Sequence, residues 1–246
     1  KIIKFPMLWQ EAKKRKIDLR ATGHYIKKLK TKNGYAIKIP KDKNKDQSYF
    51  IYDLTQKDLE HTLFPISNLT KQKVRQIAKK NKFPNAEKHG TRGICFVGKQ
   101  DMKLFLRQKI NPKAGKIISS KGEVIGTHQG IMFFTIGERI GENQNTTILP
   151  KYRNKYGKLY VAEKNKTKNT ILAVPENHQL LFRKEFQLIK VNWINKTNLP
   201  IINVKARIRH LGQLFPAKII KKNNKVLVKP KNSIKSVAEG QSCVIY

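Results

Sequence analysis

The chain has 246 residues and carries 53 Lys and Arg against 16 Asp and Glu, a formal net charge of +37. That length accommodates one large domain or two to three smaller ones, and no apolar run is long enough to cross a bilayer. Two cysteines, Cys95 and Cys243, lie far apart and outside any zinc-ligand spacing, which excludes a disulfide-stapled scaffold and suits a cytoplasmic protein.

From the N-terminus, Lys1 to Phe5 shows no signal-peptide pattern and no initiator Met, so the natural start is expected elsewhere. Phe5, Leu8, Trp9 and Ala12 have helical spacing, and Asp18 to Thr22 reads as extended up to Gly23-His24-Tyr25. Tyr35, Ile37 and Ile39 alternate with polar residues as in a half-buried strand. Thr55 and Thr70 precede helices, stapled by Leu54 with Leu59 and by Leu69 with Val74. Pro84 ends the second helix, Glu87 to Gly98 is irregular, and a short helix is predicted over 100–108.

Beyond Asn111-Pro112 strand signals dominate. Ser120-Lys121-Gly122 and Asn165 to Asn169 read as hairpin turns, and Gly141 to Tyr156, without periodicity, reads as a mobile loop. From Phe186 the pattern is that of a small antiparallel barrel. Ile202, Val204, Ala206 and Ile208 are expected on one face of a strand, and Asn203, Lys205, Arg207 and Arg209 on the other. Asn223-Asn224 is a turn, and Ser242 to Tyr246 is expected as a last strand. The fold class is α/β followed by all-β, divided as 1–109, 110–182 and 183–246.

Several clusters bear chemistry. Cys95 lies in Gly93-Ile94-Cys95-Phe96-Val97-Gly98, where Lys88, His89 and Arg92 would favour the thiolate; most free cysteines, however, are small buried hydrophobes. Gly23 closes a strand where a nucleotide could approach the backbone, or is an ordinary turn. In Lys45-Asp46-Gln47-Ser48-Tyr49-Phe50, Lys45 and Gln47 could meet phosphates and bases while Tyr49 or Phe50 stacks; a charged loop entering a helix looks the same. The Lys205/Arg207/Arg209 stripe fits a polyanion or a solvated face. The excess charge favours nucleic acid first and an acidic membrane second, although a Lys-, Asn- and Ile-rich composition from an AT-rich genome produces the same excess. Histidines and carboxylates show no metal, hydrolase or glycosidase pattern, and no Gly-rich phosphate loop is present.

In this order, Ile3-Lys4-Phe5, Ala21-Thr22-Gly23-His24-Tyr25, Asn44 to Phe50, Leu63-Phe64-Pro65, Gly93 to Gly98, Gly122 to His128, Thr135-Ile136-Gly137, Lys205 to His210 and Gly240-Gln241-Ser242 resemble the tRNA-uridine 2-sulfurtransferases, the tRNA-specific 2-thiouridylases. The likeness covers essentially the whole chain. It implies a partial adenine-nucleotide α-hydrolase-like (Rossmann-like) domain, a small central β-rich domain and a C-terminal β-barrel that binds tRNA. The reaction it implies is ATP-dependent, with Mg²⁺: adenylation of C2–O of the wobble uridine, then sulfur transfer from a cysteine persulfide. The resemblance assigns the persulfide to Cys95, places Gly23 at ATP, and puts His24, Lys45, Asp46, Gln47, Arg207, Ile208 and Gln241 on the tRNA. The implied partners are a tRNA with a wobble uridine and a persulfide donor protein, with no membrane and no resident metal.

Departures accompany the likeness. The family's S-G-G-x-D-S-S phosphate loop, N-P-D element and partner cysteine would precede Lys1, so these 246 residues alone are expected not to thiolate tRNA. Ile208 stands where an aromatic is usual, Glu138 where Gln is usual, and Cys243 is expected as buried strand filler. A non-catalytic RNA-binding protein descended from such an enzyme is the alternative.

Overall fold

The computed structural model describes residues 3–88, 102–141 and 146–246. The chain separates into two compact units: 1–89 with 187–231 and 242–246, and 90–186 with 232–241.

In the first unit, α1 (Leu8–Lys14) leads to β1 (Arg20–Ala21). The hairpin β2 (Lys27–Thr31) and β3 (Gly34–Lys38) follows, then α2 (Gln56–Glu60), β4 (Thr62–Leu63) and α3 (Lys71–Lys80). β1 and β4 pair in parallel, Arg20 opposite Thr62, which a crossover connection through α2 permits. The core gathers Phe5, Ile26, Ile51, Leu54, Leu59 and Phe64. Of the residues with helical spacing near the start, Phe5 and Ala12 are buried, but Leu8 is left exposed.

Both helix starts form where the threonines predict them. Thr70 accepts the Lys73 N–H, while Asp42 takes the Lys71 N–H at 2.9 Å. At Thr55 a full capping box forms, and Leu54 and Leu59 on either side enter the core, as a hydrophobic staple requires. The Asp58 carboxylate accepts the Thr55 N–H at 3.0 Å and hydroxyl at 2.7 Å, and Arg20 Nη2 at 3.3 Å. Arg20 also donates to Thr62 Oγ1 and to the Phe5 carbonyl, tying α2 to the parallel pair.

The second unit begins with α4 (Met102–Arg107). Its six-stranded sheet runs β7 (Arg139–Ile140), β9 (Leu159–Asn165), β10 (Thr170–Pro175), β5 (Gly115–Ile118), β6 (Val124–His128), β8 (Thr146–Ile148) in spatial order. The two predicted hairpin turns join β5 to β6 and β9 to β10. Ile117, Ile125, Phe134, Val161 and Ile171 fill its core. The stretch expected as a mobile loop instead supplies β8 and α5 (Pro150–Tyr156). Pro150 presets the first helical φ, and Tyr152 buries its ring, a contact that periodicity over so short a segment does not reveal. β11 (Phe182–Arg183) lies nearby in sequence.

The chain then returns to the first unit. β12 (Phe186–Leu188), β13 (Ile201–Arg207), β14 (Phe215–Lys222) and β15 (Lys225–Pro230) belong to a five-stranded sheet. Asn223 and Asn224, at φ 47° and 57°, form the tight turn the sequence predicts between β14 and β15. β16 (Ile234–Lys235) pairs with β11 in the second unit, and β17 (Val244–Ile245) completes the five-stranded sheet beside β13. This last strand is shorter than the expected Ser242–Tyr246, and Cys243 stands just before it.

The expected alternation along β13 fails at two points. The register shifts between Ile201 and Val204, with Asn203 at φ 60°, so Ile202 turns outward while Val204 and Ala206 are buried. Arg207, expected on a solvated basic stripe, is buried too, at 6% exposure.

Asp58 gives this unit a defined acid sensitivity. Burial pushes its carboxyl upward, but the Thr55 backbone and hydroxyl bonds and Arg20 outweigh that and hold it below the ordinary aspartate value. A depressed folded-state value stabilises above the unfolded value and is lost as pH falls through the folded one. Denaturant midpoints of the chain should therefore drop on acidification, and the drop should be smaller in Asp58→Asn. Truncation of the core residue Ile219, 0% exposed, to Ala should cost about 2–5 kcal/mol in the same measurement.

Candidate RNA-binding site

The loop carrying Lys45, Asp46 and Gln47 is two short 3-10 turns, Lys43–Lys45 and Ser48–Phe50. Asp46 sits between them and is 0% exposed. One carboxylate oxygen accepts the Ser48 N–H at 2.9 Å, and the other accepts Arg207 Nη1 from the end of β13 at 2.8 Å. A buried carboxylate needs both kinds of partner to offset lost hydration. The Arg207 guanidinium lies over the Tyr246 ring, 5.3 Å from its centre, and the Tyr246 hydroxyl meets Ser48 Oγ at 2.7 Å. Asp46, Arg207, Tyr246 and Ser48 thus close a circuit between residues up to 198 positions apart. Arg207 Nε is buried without a hydrogen-bond partner among the described residues.

A second tie runs alongside. The Tyr49 hydroxyl lies 3.0 Å from the Ile208 carbonyl and 2.8 Å from the Ser242 carbonyl, with one proton to share between them. Burial raises the Tyr49 phenol, helped by Cys243 and opposed by the Ser242 bond and Arg209, so it remains a donor at neutral pH.

Gln47 is held differently. Its N–H donates to the Tyr25 carbonyl at 3.1 Å and its Oε1 accepts the Tyr25 N–H at 3.0 Å. This double pairing draws the loop against the Gly23-His24-Tyr25 turn at the carboxyl end of β1. His24 Nδ1 is 2.5 Å from Thr22 Oγ1, with its ring 5.5 Å from that of Phe5. Beside Gly23 the space is open among the described residues: a Cβ there would meet none of them within 4 Å. That opening, at the end of a parallel strand, fits the approach of a nucleotide.

Of the residues singled out from sequence, Gly23, His24, Lys45, Asp46, Gln47, Arg207 and Ile208 all fall in the first unit, and direct bonds link Asp46 to Arg207. Lys45 is exposed, Gln47 and Ile208 are half-buried, and Asp46 and Arg207 are interior. Gln241 falls in the second unit, exposed, its N–H on the Ala238 carbonyl. Cys95 and its glycine-flanked motif lie outside the described residues. Ser48, inside the Lys45-to-Phe50 cluster, and Tyr246, in the expected last strand, receive no role from the sequence, because their side chains meet each other across 198 positions. Among the described residues, no group of three or more His, Cys, Asp or Glu could hold a metal ion, and no helix is long and apolar enough to cross a membrane.

Cys243, half-buried beside this circuit, has its thiol pushed up to about 12 by burial. It is therefore the neutral thiol at ordinary pH, which is the unreactive form. With the chain folded at pH 8, alkylation of Cys243 should be slower than that of the unfolded chain by at least about a hundredfold, read by mass spectrometry of the labelled peptide. Rates equal in the two states would contradict its burial.

Comparison with known proteins shows the family. Residues 1–99 match the family model described as tRNA methyl transferase HUP domain, 103–175 the tRNA methyl transferase PRC-barrel domain, and 183–246 the aminomethyltransferase beta-barrel domain. The order, a Rossmann-like HUP domain and then two barrel domains, bears out the α/β-then-all-β expectation. The tRNA-specific 2-thiouridylase MnmA 2 of Aliarcobacter butzleri is 35% identical over all of this chain and 68% of its own length. The tRNA-specific 2-thiouridylases MnmA of Blochmanniella floridana and Coxiella burnetii are 39% and 34% identical, over 93% and 99% of this chain and 62% and 67% of theirs. The chain spans 62 to 68% of the length of these relatives, and it belongs to the tRNA-specific 2-thiouridylase family.

Proposed function

We propose that the chain serves the ATP-dependent 2-thiolation of the wobble uridine of tRNA, in the cytoplasm. The observation that carries this reading is the match to tRNA-specific 2-thiouridylases along all of its length. The circuit through Asp46, Arg207, Tyr246 and Ser48 adds support, since it fixes Lys45 and Gln47 on a loop beside the turn at Gly23.

In this reading Gly23 lets the nucleotide lie close to the backbone, and His24, Lys45 and Gln47 with Ile208 and Gln241 meet the tRNA. Asp46 and Arg207, both buried, act on that surface only by fixing the loop that carries Lys45. When bound, ATP with Mg²⁺ would supply the adenylyl group that turns the uridine C2 oxygen into a leaving group, with pyrophosphate released as the α–β bond breaks. Cys95 carries a persulfide whose terminal sulfur adds to C2, and AMP departs with the oxygen. A second cysteine thiolate, contributed from outside these residues, attacks the Cys95 sulfur; the S–S bond breaks, sulfur stays on C2, and a disulfide to Cys95 remains. A persulfide is acidic and nucleophilic, which suits it to this attack. Each cycle then needs an external dithiol to reduce that disulfide to two thiols, after which a donor protein transfers a persulfide sulfur to Cys95 again.

Replacement of Cys95 by Ser in the full-length protein should abolish 2-thiouridine at the wobble position, measured by mass spectrometry of tRNA from a strain relying on that gene. Binding of tRNA should persist. Normal thiolation in that strain would overturn the assignment and favour a non-catalytic RNA-binding role.

A further inference from the structure

The Lys43-to-Phe50 loop, with the residues just past β13, has an aromatic outer surface that the reaction above does not use. Phe50 ends the second 3-10 turn with 51% of its surface exposed. Its ring centre is 4.3 Å from that of His210, with the planes 37° apart. His210 is exposed just past the end of β13. Buried Tyr49 backs the pair, edge-on to Phe50 at 5.8 Å and 6.4 Å from His210, and its hydroxyl bonds hold it in place. Arg209, exposed beside His210, is close enough to act on the Tyr49 phenol.

An isolated exposed phenylalanine needs no explanation. Here, however, two rings are held together by a rigid buried support and bordered by a cation, at the end of the loop that carries exposed Lys45. Flat π surfaces beside positive charge are how proteins hold unpaired bases, with stacking on the rings and phosphates on the cations. Burial, reinforced by Arg207 and opposed by Asp46, holds the His210 imidazole below its ordinary value, so at neutral pH it offers a neutral ring face.

We propose that Phe50 and His210 form a stacking platform for an unpaired base of the bound RNA. The inference rests on the tRNA-binding reading and adds to it a contact made through rings rather than charge.

The test is the affinity of the 246-residue chain for unmodified tRNA and for single-stranded oligouridylate, with Phe50→Leu, His210→Leu, Phe50→Trp and Lys45→Ala alongside. Phe50→Leu and His210→Leu should each weaken binding about fivefold to a hundredfold and leave the salt dependence of affinity unchanged. Lys45→Ala should instead reduce the salt slope by about 0.7–0.9. Phe50→Trp should bind at least as tightly as the parent, with its added fluorescence quenched by RNA. Affinities of both leucine variants within about twofold of the parent, or no added quenching, would overturn the platform while leaving the tRNA-binding reading intact. Failure of the parent chain to bind tRNA would overturn both.

Discussion

One interior ion pair organises the first unit. Asp46 and Arg207 are each almost wholly buried and come from segments 161 residues apart. Neither charge could remain there alone, because the hydration each gives up is returned only by the other and by the hydrogen bonds around them. The pair therefore sets where the Lys43-to-Phe50 loop lies relative to the end of β13. What the loop exposes, Lys45 and Phe50, is placed by what it buries. Tyr246 and Tyr49 reinforce the same junction through a ring face and a shared phenolic proton.

Much of the local structure was legible in the sequence because short-range chemistry decides it. The threonine caps with their flanking leucines, the Asn223-Asn224 turn and the hairpins on either side of Gly122 and Asn169 all formed where residue types predicted them. Other features depend on distant partners. Alternation placed Arg207 on a solvated stripe, and it lies inside because a loop from far upstream covers that end of β13. Pro150 to Tyr156 lacked periodicity yet forms a helix, since one proline start and one buried tyrosine suffice for so short an element. The bulge at Asn203 reverses Ile202, and no pattern of apolar residues announces it.

The site was legible only as a set of residues. The sequence motif grouped Lys45, Asp46 and Gln47 as equivalent, whereas the structure separates their tasks. Lys45 faces solvent, Asp46 faces inward to Arg207, and Gln47 is spliced onto the backbone of Tyr25. Asp46 and Gln47 both help to fasten the loop, while Lys45 is left exposed. The strong positive charge of the chain adds long-range attraction for a polyanion without saying where one would sit.

The coupling free energy between Asp46 and Arg207 tests this account most directly. A double-mutant cycle with Asp46→Asn, Arg207→Met and the pair, followed by denaturant unfolding, isolates it. The account predicts non-additivity of about 2 kcal/mol or more, the double variant being far less damaged than the sum of the singles. Effects that add within about 0.5 kcal/mol would show that the pair is not what holds the loop in place.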